Sequence, residues 1–254
     1  LKIEPDEFLE FKEKCPQSLK WIKRMVGATE FINNKERYCL WLVGCSPNEL
    51  KQMPMVLKRV KACQEARLAA NTAESKKLAL TPTLFREQLN PEHYLIIPGV
   101  SSEKRRYIPI GFLDKETIPV MGTLIIPNAD LVDFGIVNSN VHMAWMRAFA
   151  GRLEMRYRYS KDVVYNTFPW PKLQEQHRAA IEKTAKQILE ARKLYPNSTL
   201  AELYDEVTMP IELREAHRDN NRAVMRAYGF ELKMTEDGCV AELMKLYQAL
   251  IGKK

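Results

Sequence analysis

The chain has 254 residues, 46% of them hydrophobic and 28% charged, with a formal net charge of +7, which is the profile of an ordinary globular protein of one or two domains. Its apolar runs, such as Leu124–Ile126 and Ile136–Val137, are far too short for a membrane span, and its charged start, LKIEPDEFLEFKEK, is no signal peptide. Five cysteines without a CxxC pair and four histidines without an HExxH arrangement exclude a disulfide framework and the common zinc motifs, and point to reduced thiols in a cytoplasmic protein.

The chain begins without an initiator Met, and the expectation is a piece of a longer polypeptide. Residues 1–25 read as one amphipathic helix, with Phe8, Phe11, Cys15, Leu19 and Ile22 at helical spacing. Arg37–Val43 reads as a buried strand closed by Gly44. Ser46–Lys77 is helical in pattern, with Ser46 as N-cap, Pro47 at the first helical position and Glu49 three residues past the cap. From Lys51 to Lys77 it carries seven basic and two acidic residues, either a solvated face or a surface for a phosphate backbone.

From Leu80 to Pro171 the texture changes to short strands and turns. Tyr94–Ile97, Tyr107–Ile110, Leu124–Ile126 and Leu153–Tyr159 are strand candidates between Pro and Gly punctuation. The polar segment Ser101–Arg106 offers phosphate donors in Ser101, Ser102, Lys104 and Arg105, and Arg152 and Lys161 extend the set. Asn138–Arg152 reads as a helix capped near Asn138 or Ser139 and ended by Gly151, with His142 a hydrogen-bonded structural residue and Trp145 a packing anchor. Beyond it, Glu154, Arg156 and Arg158 alternate with Met155, Tyr157 and Tyr159. As one strand, this run turns a carboxylate and two guanidiniums to one face and packs Met and two Tyr on a core. Arginine forks to guanine O6 and N7, and a carboxylate accepts from cytosine N4. A solvated edge strand has the same pattern. Between Arg147 and Lys161 five basic residues face one acidic residue, a focused excess that suits a polyanion.

Pro169 and Pro171 forbid a helix before them and make a rigid exit. Helical periodicity then runs to the end: Leu173–Tyr195 with a stripe of Ile181, Ala185, Ile188 and Arg192; a capping box at Thr199–Glu202; a helix opened by Met209-Pro210 and closed by Gly229; and a last helix capped by Thr235. From Lys172 onward 14 basic residues balance 13 acidic ones, so this part reads as a buttress. The fold class expected is α+β: a mixed α/β domain over residues 26–171 and an all-helical domain over 172–254, with residues 1–25 a helical connector.

Several blocks resemble the MmeI-like restriction–modification methyltransferases, a branch of the Type IIG enzymes: GATEFINNKERYCLWL, IIPGVSSEKRRYIPIGF, FGIVNSNVHMAWMRAFAGR, GRLEMRYRYSKDVVYNTFPWP, LYDEVTMPIELREAH and NRAVMRAYGF. The resemblance runs from about Val26 to the C-terminus and covers the target-recognition and C-terminal helical domains. It implies that Glu154, Arg156 and Arg158 contact target bases in double-stranded DNA. It also implies that the turn Val120–Thr123 adds specificity, although Met121 and Gly122 there offer no hydrogen-bonding side chain. For the parent enzyme it implies S-adenosylmethionine as methyl donor, N6 of adenine as target, and an upstream methyltransferase domain in the same polypeptide. No two of the ten glycines lie within three residues of each other, and the nearest text to an Asn/Asp-Pro-Pro-aromatic base clamp, Asn90-Pro-Glu-His93, lacks the second proline and the aromatic. The fragment by itself is therefore expected to carry no catalytic site and no cofactor. A stand-alone nucleic-acid-binding regulator and a scaffold for an acidic protein remain open as alternatives.

Overall fold

Proline sets the first helix boundaries in the computed structural model, which describes residues 1–120 and 122–252. Residues 1–25 are not one helix. They form a strand β1 (Lys2–Ile3), helix α1 (Pro5–Lys14), a 3-10 turn (Pro16–Trp21) and strand β2 (Ile22–Val26). Pro16 cannot donate its backbone nitrogen and disfavours helix at Cys15, so α1 stops there. Phe11 and Cys15 still bury their side chains, and Phe8 stacks on Tyr38 with ring centroids 4.3 Å apart. After helix α2 (Ala28–Asn33) comes strand β3 (Tyr38–Leu40), which pairs antiparallel with both β1 and β2. Alternation then sends Leu40 to a cluster with Ile3, Phe11, Met53 and Val56, and Cys39 to another with Met25, Trp41 and Ile118.

The helical stretch expected over Ser46–Lys77 is three helices: α3 (Pro47–Lys51), α4 (Pro54–Leu68) and α5 (Ala73–Leu78). Ser46 accepts from Glu49 N in the expected capping box. Pro54 restarts the chain after Met53, and the Thr72 hydroxyl caps α5 by accepting from Ser75 N. Strands β4 (His93–Pro98), β5 (Val100–Ser101) and β6 (Gly111–Asp114) follow, then β7 (Thr117–Pro119), which lies parallel to β2 with Thr117 opposite Arg24. Strand β8 (Thr123–Pro127) pairs antiparallel with β4, and the order of that sheet is β6-β4-β8. Tyr107–Ile110, expected as a strand, is buried but carries no strand pairing. Pro109 has no N–H to give a ladder, and a side chain meets the Ile110 carbonyl instead: Arg192 Nη1 donates to Ile110 O at 2.7 Å, while Asn221 Nδ2 holds the Tyr107 side chain through its hydroxyl at 2.8 Å.

The remaining elements are helices α6 (Leu131–Val137) and α7 (Asn140–Phe149), strands β9 (Gly151–Leu153) and β10 (Arg156–Arg158), a π-helical turn at Lys161–Tyr165, and helices α8 (Glu175–Lys193), α9 (Leu200–Leu203), α10 (Ile211–Tyr228) and α11 (Glu236–Ile251). The capping box of Thr199 and Glu202 is present, Thr235 accepts from Gly238 N, and Gly229 closes α10 in the left-handed conformation. α8 packs against α10 and α6, and α11 against α7. Gly135 is required for the α6–α8 contact, because a Cβ there would lie 2.6 Å from Ile181 Cγ2. The fold is thus α+β, a mixed part followed by helices.

By compactness the chain divides into two units, one of Leu1–Val26, Lys35–Pro91 and Asp114–Val120, the other of Gly27–Asn34, Glu92–Leu113 and Met121–Lys254. The second holds the largest core, which includes Leu95, Ile97, Phe134, Trp145, Ile181 and Leu213. No described helix is long and apolar enough to cross a membrane, and no group of His, Cys, Asp or Glu among the described residues is placed to hold a metal.

Candidate nucleic-acid interface

The sequence-predicted readers lie on a hairpin, not on one strand. β9 and β10 pair antiparallel with Leu153 opposite Arg156, Arg152 opposite Tyr157 and Gly151 opposite Arg158. Glu154 and Met155 form the two-residue turn between them, and Glu154 takes φ +57°. Glu154 is therefore at the hairpin tip beside the arginines rather than in a row with them. Its Oε2 accepts from Arg156 Nη2 at 2.9 Å, with the two side chains 76% and 46% exposed. Met155, expected to pack on the core, is 69% exposed at the same tip.

A two-residue turn also inverts the alternation. In a continuous strand Arg152 would share a face with Arg156 and Arg158; in the hairpin, residues directly opposite share a face, so Arg152 leaves with Tyr157. The two faces differ sharply. Arg156 and Arg158 are exposed together with Leu153. On the other face Tyr157 is 8% exposed beneath the side chain of Arg152, which is itself exposed, and beyond the strand Tyr159 is buried too.

The back face is anchored in three ways. β10 pairs antiparallel with β5, Tyr157 opposite Ser101 and Arg158 opposite Val100. Tyr159 N donates to Gly99 O at 3.0 Å. The Tyr159 hydroxyl shares a 2.8 Å hydrogen bond with His142 Nε2 inside the core. Burial lowers the His142 pKa to about 3, so the imidazole is neutral at pH 7, and its Nδ1 finds no partner among the described residues. Ser160 then turns the chain by accepting from Val163 N at 3.3 Å, which leaves Lys161 exposed.

Gly122, the describable half of the predicted second reading element, lies nearby; Met121 is outside the described residues. Gly99 N donates to Gly122 O at 2.9 Å, so Gly122, Gly99 and Tyr159 form a backbone relay across neighbouring segments. A Cβ on Gly99 would lie 2.6 Å from Gly122 O, so only glycine permits this approach. Gly122 itself has φ +97° and open space around it.

Among the predicted phosphate donors, Lys104 is exposed and Ser102 and Arg105 are half-buried. Burial lowers the Arg105 pKa, against the pull of Asp205. Ser101 is corrected by its burial: the residue is 2% exposed, its hydroxyl has no hydrogen-bond partner among the described residues, and it presents nothing to an outside phosphate. Arg147 holds the loop from behind, forking to Glu236 at 2.6 and 2.7 Å and donating to Arg106 O at 3.1 Å. These residues line a cleft of about 450 Å³ with Lys104, Arg105 and Asn140. The positioning roles of Gly99, Arg147 and His142 depend on partners 17 to 89 residues away or across a backbone contact, and no local pattern signals them.

Comparison with known proteins places this arrangement. The chain is 38% identical over 245 residues to "DNA methyltransferase A" of Bacillus subtilis (strain 168), covering 96% of this chain and 28% of that protein. It matches the solved structure of the Type IIL restriction-modification enzyme MmeI in complex with DNA with a TM-score of 0.95 and 44% identity, over 99% of this chain and 34% of that one. The chain therefore spans about a third or less of either relative. Residues 1–172 match the family model "MmeI, target recognition domain" and residues 173–253 the model "MmeI, C-terminal domain". The chain belongs to the MmeI family and consists of its target recognition domain followed by its C-terminal domain.

Proposed function

We propose that this chain selects a short duplex DNA site from the major groove and presents one adenine to a methyltransferase domain upstream in the same polypeptide. The observation that carries the reading is the β9–β10 hairpin. It displays Glu154, Arg156 and Arg158 toward solvent while Tyr157 and Tyr159 lock its other side in the core. Base readout needs hydrogen-bonding side chains held at fixed spacing, and a hairpin anchored this way supplies them. Glu154 and Arg156 act as the first readers and Arg158 reads the neighbouring base pair. Of the second reading element, Met121 contributes apolar contact at most and Gly122 its backbone alone. Ser102, Lys104, Arg105 and Lys161 meet phosphates and set register without reading sequence. Residues 26–171 form the reading portion and 172–254 its buttress. In the whole enzyme S-adenosylmethionine supplies the methyl group and N6 of adenine receives it. Membership of the MmeI family and the likeness to a methyltransferase and to a DNA-bound enzyme support this reading.

The test is a methylation map of DNA from cells carrying the complete gene, with and without Glu154→Arg combined with Arg156→Glu. A motif that changes at one base pair is the expected result. An unmethylated genome counts against the enzyme class, and an unchanged motif counts against these readers. In duplex binding, Arg156→Ala should relax one position by about 1–3 kcal/mol, whereas Lys104→Ala should weaken all sequences evenly and flatten the salt dependence.

A further inference from the structure

We infer that Arg152 is a positioning residue for base reading, which braces the turn carrying Glu154 and does not meet a phosphate; this rests on the reading of Glu154 and Arg156 proposed above. The register places Arg152 opposite Tyr157, on the face away from Arg156 and Arg158. To touch a phosphate beside those two arginines its side chain would have to leave that face. Its guanidinium carbon instead lies 3.8 Å from the centre of the Tyr157 ring, within stacking distance. From there Nη1 donates to Met155 O at 3.0 Å.

Met155 is the second residue of the turn, and Glu154, the first, holds a positive φ that glycine ordinarily takes in such turns. The turn therefore lacks the residue that would form it by local preference. Arg152 supplies a restraint from the side: Tyr157 is fixed in the core, Arg152 lies on Tyr157, and the Met155 carbonyl is tied to Arg152. Fixing that carbonyl fixes the Met155–Arg156 peptide where the turn enters β10, and so restrains the relative aim of the two readers, which are joined by their 2.9 Å ion pair. The planar fork of arginine can stack and donate at once, which an ammonium cannot do.

The complete enzyme carrying Arg152→Gln, Arg152→Lys, Tyr157→Phe or Tyr157→Leu is titrated with its mapped site and with duplexes substituted one base pair at a time, across a salt series. Arg152→Gln should lower discrimination about tenfold at the base pair read by Glu154 and Arg156, within the span of one bidentate contact, and leave the salt slope unchanged. Arg152→Lys should behave like Arg152→Gln, because charge without the stack does not brace. Tyr157→Phe should discriminate as the parent does, and Tyr157→Leu should fail as Arg152→Gln does. An even loss on all duplexes, with the salt slope reduced by about 0.9 and restored by Arg152→Lys, identifies a phosphate contact and overturns the inference. Arg156→Ala in the same series separates the two layers. If it relaxes one position while Arg152→Gln does not, the brace alone is wrong; if it relaxes none, the reading and the brace fall together.

Discussion

Glu154 holds a backbone conformation that its own side chain disfavours. At φ +57° an L-residue crowds its Cβ against the backbone, at a cost of about 1–2 kcal/mol. Such strain persists where surrounding contacts hold it, and it concentrates at functional positions. Glu154→Gly should therefore stabilise the protein by up to about 1 kcal/mol in a denaturant titration, the relief of strain being partly offset by a freer unfolded chain. The same substitution removes the carboxylate and should relax site discrimination. A destabilised Glu154→Gly protein would show that the carboxylate does more for the fold than its exposed ion pair suggests.

At the scale of the element, the hairpin is held through the residue that follows it. The Tyr159 hydroxyl and His142 Nε2 are both buried, so neither has water as an alternative partner. Tyr159→Phe leaves the imidazole with two unsatisfied nitrogens and should cost about 1–3 kcal/mol, read as a lower denaturant midpoint at unchanged slope. The helix ends were legible because a capping side chain acts within three residues of itself: Ser46, Thr199 and Thr235 all accept from the backbone where the sequence places them. The hairpin was not legible. Glu154-Met155 carries none of the glycine or asparagine that marks a tight turn, so an unbroken alternation over Leu153–Tyr159 concealed it.

For the whole molecule, two buried histidines make stability depend on pH. His142 has its pKa lowered to about 3 from an ordinary 6.5, and His217, beside Arg192, is also held well below that value, in both cases chiefly by burial. Both rings are neutral in folded and unfolded chains above pH 6.5, so they add no pH dependence there. Below it the unfolded chain takes up protons that the fold refuses, and stability falls as pH drops from about 6.5 toward 3. His142 alone should cost about 2 kcal/mol at pH 5. Thermal melts between pH 7.5 and 5 should show the loss, and His142→Gln should flatten it; a slope unchanged by that substitution would place the titration elsewhere.

The α+β class, the helical tail, the helix starts near Ser46, Ser139, Thr199, Pro210 and Thr235, and the face on which Arg156 and Arg158 stand are legible in the sequence. Each of these rests on periodicity or on chemistry acting over a few residues. Only the folded arrangement shows that Glu154 sits at a turn, that Arg152 leaves with Tyr157, that the Ser101 hydroxyl is buried, and that the Gly99 backbone bonds to both Gly122 and Tyr159. Those outcomes depend on strand register and on close backbone approach between distant segments. A run of alternating residues reads the same whether it is one strand or hides a two-residue turn, yet the turn inverts which face the earlier residues take, and only the pairing specifies which residues stand opposite each other.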